Sequence, residues 1–273
     1  MFSFPPPAVL RRRMAATVSG SGPAVVLLHG QPGRGSDWES VVPLLAPRFT
    51  VIVPDRLGYG RTGGRAAGFA ANAEATCELL DRLGRRSAIV AGHSWGGGVG
   101  LALAEAFPDR VAGLVLVASV APGEAPSRLD RALARPVVGS AVAAVAQGSA
   151  RLALGWRPLR AIFERRLPAH VSRMLGTSWR QEGVTGSFAV EQRALVDELD
   201  GLGPGMASLR APTVVVSGTA DRVVPPSAGR RLVAGIAGAT QVLVDGAGHL
   251  LPAAHPGAVA SAVVEVARRA GSG

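Results

Sequence analysis

Ser94 has the clearest chemical context in the chain, within Gly92-His93-Ser94-Trp95-Gly96. This G-x-S-x-G sequence follows an apolar, β-branched run at 88–91 and precedes a stretch of helical period, which predicts a strand-to-helix turn. Glycines two residues to either side remove side chains that would collide with neighbouring backbone. The turn lifts the hydroxyl out of the sheet, and the helix N-terminus brings N–H groups and a positive dipole end to where negative charge develops. A serine hydroxyl needs a base, and the base needs an orienting carboxylate. His249, in Gly248-His249-Leu250, is the candidate base, and Asp221, in Gly218-Thr219-Ala220-Asp221-Arg222, is the candidate acid. Of the other histidines, His93 adjoins the serine as a packed, hydrogen-bonded neighbour. His29 ends a strand, His170 lies in a long insertion and His255 precedes Pro256. Glu124 is the alternative acid. Acyl transfer also needs donors for an oxyanion. The backbone N–H of Gln31, in His29-Gly30-Gln31-Pro32-Gly33, is one candidate, and that of Trp95, next after the serine, is the other. Pro32 has no N–H and fixes the chain beyond Gln31; a cis Gln31-Pro32 bond fits such a loop.

These residues need a scaffold that brings distant loops together. Apolar runs at 25–28, 50–53, 88–91, 114–117, 213–217 and 241–244 read as strands covered on both faces. Helical patterns fall between them, near 37–46, 70–83, 95–106, 226–236 and 256–269, and Ser36 with Glu39 suggests a capping box for the first. The alternation predicts an α/β fold with an open, mostly parallel sheet and helices on both faces. Gln31, Ser94, Asp221 and His249 all follow strands, so all fall at the carboxyl edge, where such sheets bind ligands. Between about 121 and 210 the alternation stops. That stretch has six prolines, helical spacing and no convincing strand. It reads as a helical lid (121–210) inserted between the two parts of one core, 1–120 and 211–273.

Composition narrows the chemistry. The chain has 273 residues and a formal net charge of +10. All 29 basic residues are Arg, so no lysine is available as a Schiff-base nucleophile or P-loop phosphate ligand. The charge is spread along the chain, and one Tyr with four Trp and seven Phe is thin for nucleic-acid stacking. Cys77 is the single cysteine, which excludes an intramolecular disulfide and a thiolate cluster. The apolar stretch 136–146 is too short to span a bilayer and contains Gly139 and Ser140. The expectation is a soluble, cytoplasmic protein acting on a small molecule, without cofactor or metal, without a nucleic-acid partner and without stable membrane insertion. Oligomeric state carries no signal.

With these motifs in order, the chain resembles the α/β-hydrolase superfamily in its lid-bearing, serine-nucleophile branch. The resemblance rests on His29-Gly30-Gln31-Pro32-Gly33, Pro54-Asp55-Arg56-Leu57-Gly58-Tyr59-Gly60-Arg61, Gly92-His93-Ser94-Trp95-Gly96-Gly97, Gly218-Thr219-Ala220-Asp221 and Gly248-His249. It implies that the Asp55 segment is a structural turn. Thr62 stands where the family usually has Ser, and the short N-terminal segment implies an abbreviated first hairpin.

Within the resemblance, dehalogenases and epoxide hydrolases need a carboxylate where Ser94 stands, although Trp95 resembles a halide-binding tryptophan. Residues 121–210 also lack the tyrosines that similar epoxide hydrolases use. Proline iminopeptidases resemble the chain at Ser94-Trp95-Gly96-Gly97 and would read an amine with Glu164, Glu182 or Glu191, but usually carry Gly at the Gln31 position. Carbon–carbon hydrolases and cofactor-free haloperoxidases or perhydrolases share the triad, and some similar proteins are receptors that do not turn over. The leading expectation is a carboxylic-ester hydrolase working through an acyl-enzyme. Trp156, Phe163, Trp179 and Phe188 are candidate pocket residues, with packing inside the lid as the alternative. Residues 121–180 carry ten Arg against three acids. Arg151, Arg157, Arg160, Arg165 and Arg166 could steer an anionic substrate or simply form a solvated face.

Overall fold

The computed structural model describes residues 13–123, 125–155 and 177–271. Seven strands form one sheet: β1 (Ala16–Ser19), β2 (Ala24–Leu28), β3 (Thr50–Pro54), β4 (Ala88–His93), β5 (Val111–Val117), β6 (Thr213–Gly218) and β7 (Thr240–Val244). Their spatial order is β1-β3-β2-β4-β5-β6-β7. Only β1 runs antiparallel, against β3. Helices α1 (Val42–Leu45), α2 (Phe69–Arg82) and α3 (Trp95–Ala106) follow in the first part. Helices α4 (Arg128–Leu133), α5 (Pro136–Gly155) and α6 (Val184–Asp197) lie between β5 and β6. The chain ends with α7 (Pro226–Gly235), α8 (Leu251–Ala254) and α9 (Pro256–Ala270).

The strands are apolar throughout because both faces are covered. Val26, Leu28, Val90, Leu114 and Leu116 face one core with α2 and α3. Val25, Leu27, Ile89, Val115 and Val117 alternate to the other face, against Trp38, Leu45 and α9. Each such side chain removed from water contributes roughly 1.5–3 kcal/mol before the entropy of ordering it.

Three elements differ from expectation. β7 is an edge strand with Val242 and Leu243 exposed, because nothing pairs beyond it. The helix expected at 37–46 is a 3-10 turn, Gly35–Trp38, followed by the single turn α1. Pro43 supplies no N–H to a continuous ladder. The expected Ser36–Glu39 cap is replaced by Asp37, whose Oδ2 accepts from the Arg34 N–H at 3.0 Å. β1 was not evident in the sequence. Thr62 ties it down, accepting from the Ala15 N–H at 2.8 Å and donating to the Asp55 carbonyl at 2.5 Å.

Between β5 and β6 the described residues form helices and no strand. Ser127 and Asp130 make a capping box that opens α4, and α5 packs on α6. Among the described residues, no helix is long and apolar enough to cross a membrane.

Candidate active site

Because β2, β4, β6 and β7 are parallel, the loops that leave them open at one edge. Ser94 occupies the tight turn from β4 into α3 with φ 54° and ψ −119°. This strained conformation persists only where the surroundings enforce it. The flanking glycines do so sterically. A Cβ on Gly92 would lie 2.3 Å from the Gly96 carbonyl oxygen, and one on Gly96 would lie 2.4 Å from that of Leu28.

His249 Nε2 stands 3.0 Å from Ser94 Oγ, and its Nδ1 stands 2.8 Å from Asp221 Oδ2. An ionised carboxylate only accepts, so Nδ1 carries the proton and Nε2 presents its lone pair to the serine hydroxyl. Asp221 Oδ1 accepts from the Val223 and Val224 N–H groups at 2.8 and 2.9 Å. Burial pushes the Asp221 carboxyl up, but the His249 hydrogen bond and charge, with those amides, outweigh it and hold the group below the usual carboxylate range. His93 Nε2–H donates to the His249 carbonyl at 2.9 Å. Burial first, then the neighbouring His249, lower His93 to about 3, so it stays neutral and fixes the backbone of His249. Glu124, the alternative acid, lies outside the described residues.

Gln31 and Trp95 line the same cavity as Ser94, and among the described residues the Gln31 N–H makes no backbone hydrogen bond. The Gln31-Pro32 bond is cis. The Gln31 side chain reaches α6, its Nε2 donating to the Phe188 carbonyl at 2.8 Å.

The cavity above Ser94 has a volume of about 720 Å³. Trp179 and Phe188 line it, with ring centroids 5.5 Å apart; Trp156 and Phe163 lie outside the described residues. Of the arginines considered for steering, Arg151 alone is described, and it is an exposed residue of α5 away from the cavity. The charged residues of the described wall are Asp37, Glu39, Asp130 and Arg231. Burial raises Asp37 to about 6.

Beneath this cavity lies a buried polar layer in which Glu191, expected at most as an amine contact, pairs with the Asp55 turn instead. The Asp55 turn places Arg56 under the Gln31 loop, where its Nε and one terminal nitrogen donate to the His29 and Gly30 carbonyls, each at 2.8 Å. The guanidinium pairs with Glu191 of α6, and Tyr59 donates to Glu191 Oε2 at 2.7 Å. Burial pushes the Glu191 carboxyl up, against the Arg56 charge and these hydrogen bonds. His29 accepts from the Arg56 N–H at 2.9 Å through Nε2 and donates to the Gly30 carbonyl through Nδ1. Burial and the Arg56 charge hold its ring well below its ordinary value, hence neutral.

Comparison with known proteins agrees with this architecture. A family model described as alpha/beta hydrolase fold matches residues 23–256. A 2-hydroxy-6-oxononadienedioate/2-hydroxy-6-oxononatrienedioate hydrolase of Paraburkholderia xenovorans is 30% identical over 245 residues, covering 82% of this chain and 80% of that protein. The structure of a thermophilic esterase from Thermogutta terrifontis superposes with a TM-score of 0.76 at 26% identity, covering 94% and 93% of the two chains. An uncharacterised Mycobacterium tuberculosis protein is 41% identical over 109 residues, but the match covers only 32% of that protein's length and 39% of this chain. The relatives as a group include a lipase, an esterase, an epoxide hydrolase and a meta-cleavage product hydrolase. The chain belongs to the α/β-hydrolase family.

Proposed function

We propose that the protein is a serine hydrolase that cleaves a carboxylic ester of a small or medium-sized substrate through an acyl-enzyme. The observation that carries this reading is the relay from Ser94 Oγ through His249 to Asp221, at 3.0 and 2.8 Å, facing a cavity. Ser94 attacks the ester carbonyl while His249 Nε2 takes its proton. Asp221 holds the imidazole in the required tautomer and stabilises the imidazolium. The Gln31 and Trp95 amides receive the oxyanion, each worth roughly 10²–10³-fold in rate. His249 returns the proton to the departing alkoxide. A water then repeats the cycle on the acyl group, with His249 again as base. Residues 121–210 serve as the lid, and Trp179 and Phe188 give the acyl pocket its aromatic wall. The reaction calls on no cofactor.

A carbon–carbon hydrolase is the second reading. Similarity to the Paraburkholderia hydrolase over four-fifths of both chains favours it. Of the three glutamates named for a peptidase, Glu191 is engaged by Arg56 and Tyr59, Glu182 is exposed and does not line the cavity, and Glu164 lies outside the described residues. The test is a hydrolysis panel of p-nitrophenyl esters, lactones, prolyl amides and vinylogous diketones, with Ser94→Ala as the blank. Ester turnover that falls by about 10⁴-fold or more in Ser94→Ala supports the reading. Wild-type ester rates in Ser94→Ala would overturn it, and turnover confined to the diketones would install the second reading.

A further inference from the structure

Both candidate oxyanion donors rest on one buried ion pair, and the mechanism above does not use it. Arg56 donates to the carbonyls of His29 and Gly30, the two residues before Gln31. These bonds fix the peptide planes leading to the Gln31 N–H. The same guanidinium lies 4.4 Å from the centroid of the Trp95 ring, whose backbone carries the other N–H. The Trp95 indole Nε1–H donates to the backbone carbonyl of Glu191 at 3.1 Å, and the ring stacks on Phe69 with centroids 4.2 Å apart. The Glu191 carboxylate completes the set by holding Arg56 and accepting from Tyr59. Both side chains of the pair are wholly shielded from solvent.

We infer that Arg56 and Glu191 are positioning residues: the ion pair sets the aim of the Gln31 and Trp95 amides and makes that aim depend on the docking of α6. Neither side chain lines the cavity, so neither touches substrate. Their effect therefore belongs to transition-state stabilisation and not to substrate affinity. A donor displaced by a fraction of an ångström still permits binding but stabilises the developing oxyanion less. A charged pair suits the task geometrically. The planar guanidinium offers donors along two edges, so it can clamp two successive carbonyls and still face a carboxylate.

The inference rests on the serine-hydrolase reading, and the experiment separates the two. Steady-state kinetics on a p-nitrophenyl ester are measured for Glu191→Gln, Arg56→Lys and the double variant Arg56→Met/Glu191→Met, which leaves no unpaired buried charge. Each is also titrated with a trifluoromethyl ketone, which Ser94 converts to a hemiketal oxyanion as its proton passes to His249. We expect kcat to fall by roughly 10–100-fold with KM within about threefold, a fraction of the loss from deleting a donor outright. The ketone's inhibition constant should rise in proportion to the loss in kcat/KM. Asp200→Asn is the control, because Asp200 fastens the same segment to the stretch after β5, accepting from the Gly123 N–H at 3.0 Å, and among the described residues makes no hydrogen bond to the Gln31 loop, Phe69 or Trp95. It should keep kcat within twofold. An equal loss in Asp200→Asn would assign the effect to general undocking and overturn the inference. So would a folded double variant, or a folded Glu191→Gln, with wild-type kcat and unchanged ketone affinity. Retained turnover in Ser94→Ala would instead defeat the hydrolase reading itself.

Discussion

The segment between β5 and β6 has two halves that meet the core in opposite ways. The rear half, Gln181 and α6, is fastened by polar contacts along one face. Ser187 donates to the Gly58 carbonyl at 2.7 Å, Glu191 pairs with Arg56, and Glu198 accepts from the Phe69 N–H. Gln181 accepts from the Gly60 N–H at 2.8 Å and donates to the Gly33 carbonyl at 3.0 Å. The front half, α4 and α5, makes few such contacts and leaves Leu129, Val137, Val145 and Leu152 between 65% and 81% exposed. The rear half is thus part of the site's foundation, because its bonds run to Gly33 in the Gln31 loop and to the Asp55 turn that carries Arg56. Among the described residues the front half contributes only Asp130 to the cavity wall, whereas Phe188, Gln192 and Leu195 of the rear half line it.

Breaking the rear anchor should have the largest effect. Glu191→Ala leaves the Arg56 guanidinium buried and unpaired, which costs about 3–5 kcal/mol. Val145→Ser, on an exposed site of the front half, should stay within about 0.5 kcal/mol. Urea unfolding of the two variants measures the contrast, and equal losses would erase the distinction between the halves. The cavity wall offers a sharper comparison. Trp179→Ala should change kcat/KM between bulky and small acyl esters by roughly 1–3 kcal/mol, whereas Leu152→Ala should leave that ratio unchanged. A shift in the ratio from Leu152→Ala would mean that the outer face of α5 reaches substrate. Smaller again is the expected difference in local stability. Amides of α4 and α5 should exchange with solvent at least about tenfold faster than those of α6, because elements with few buried contacts open at lower free energy. Hydrogen exchange followed by mass spectrometry resolves the two, and uniform protection would show that the segment opens as one unit.

The same contrast explains what could be read from the sequence. Ser94 and Asp221 were legible because each follows a strand buried on both faces, and His249 because a Gly-His pair after the last apolar run completes the chain order Ser, Asp, His, although that run is the exposed edge strand β7. The strands β2 to β6 were legible for the same reason. β7 misled because its Val and Leu residues look like a central strand, and only the missing neighbour makes it an edge. β1 was hidden because Ala16–Ser19 is short and partly exposed, with its register set by Thr62 some forty-five residues away. The Arg56–Glu191 pairing did not follow from local pattern, since 135 residues separate its partners. A lone Glu in an amphipathic helix ordinarily reads as solvated. The one local signal was periodicity, because Ser187, Glu191 and Glu198 fall on a single helical face, together with an arginine next to the Asp55 turn.

Asp37 joins the rear half to the Gln31 loop and should give the comparison a pH dependence. Its Oδ2 accepts from the Arg34 N–H, and Ser178 donates to its Oδ1 at 3.5 Å. Burial raises it from 3.8 to about 6. The folded protein therefore holds this proton more tightly than the unfolded chain does. Stability from this group is fully present below about pH 4, declines as pH rises to about 6 and is flat above. Asp221 works in the opposite sense, because its carboxyl is held low; its contribution is present above about pH 4 and is lost below. The two windows do not overlap, so unfolding between pH 4 and 7 isolates Asp37 from Asp221. Glu105, raised by burial to about 7, adds a slope of the same sign, which a substitution at Asp37 leaves in place. Asp37→Asn keeps an oxygen for the Arg34 N–H and removes the ionisation. It should raise stability above pH 6.5 by on the order of 1 kcal/mol and leave it unchanged near pH 4. Parallel unfolding curves for wild type and variant at every pH would show that Asp37 is solvated and that this junction contributes no pH dependence.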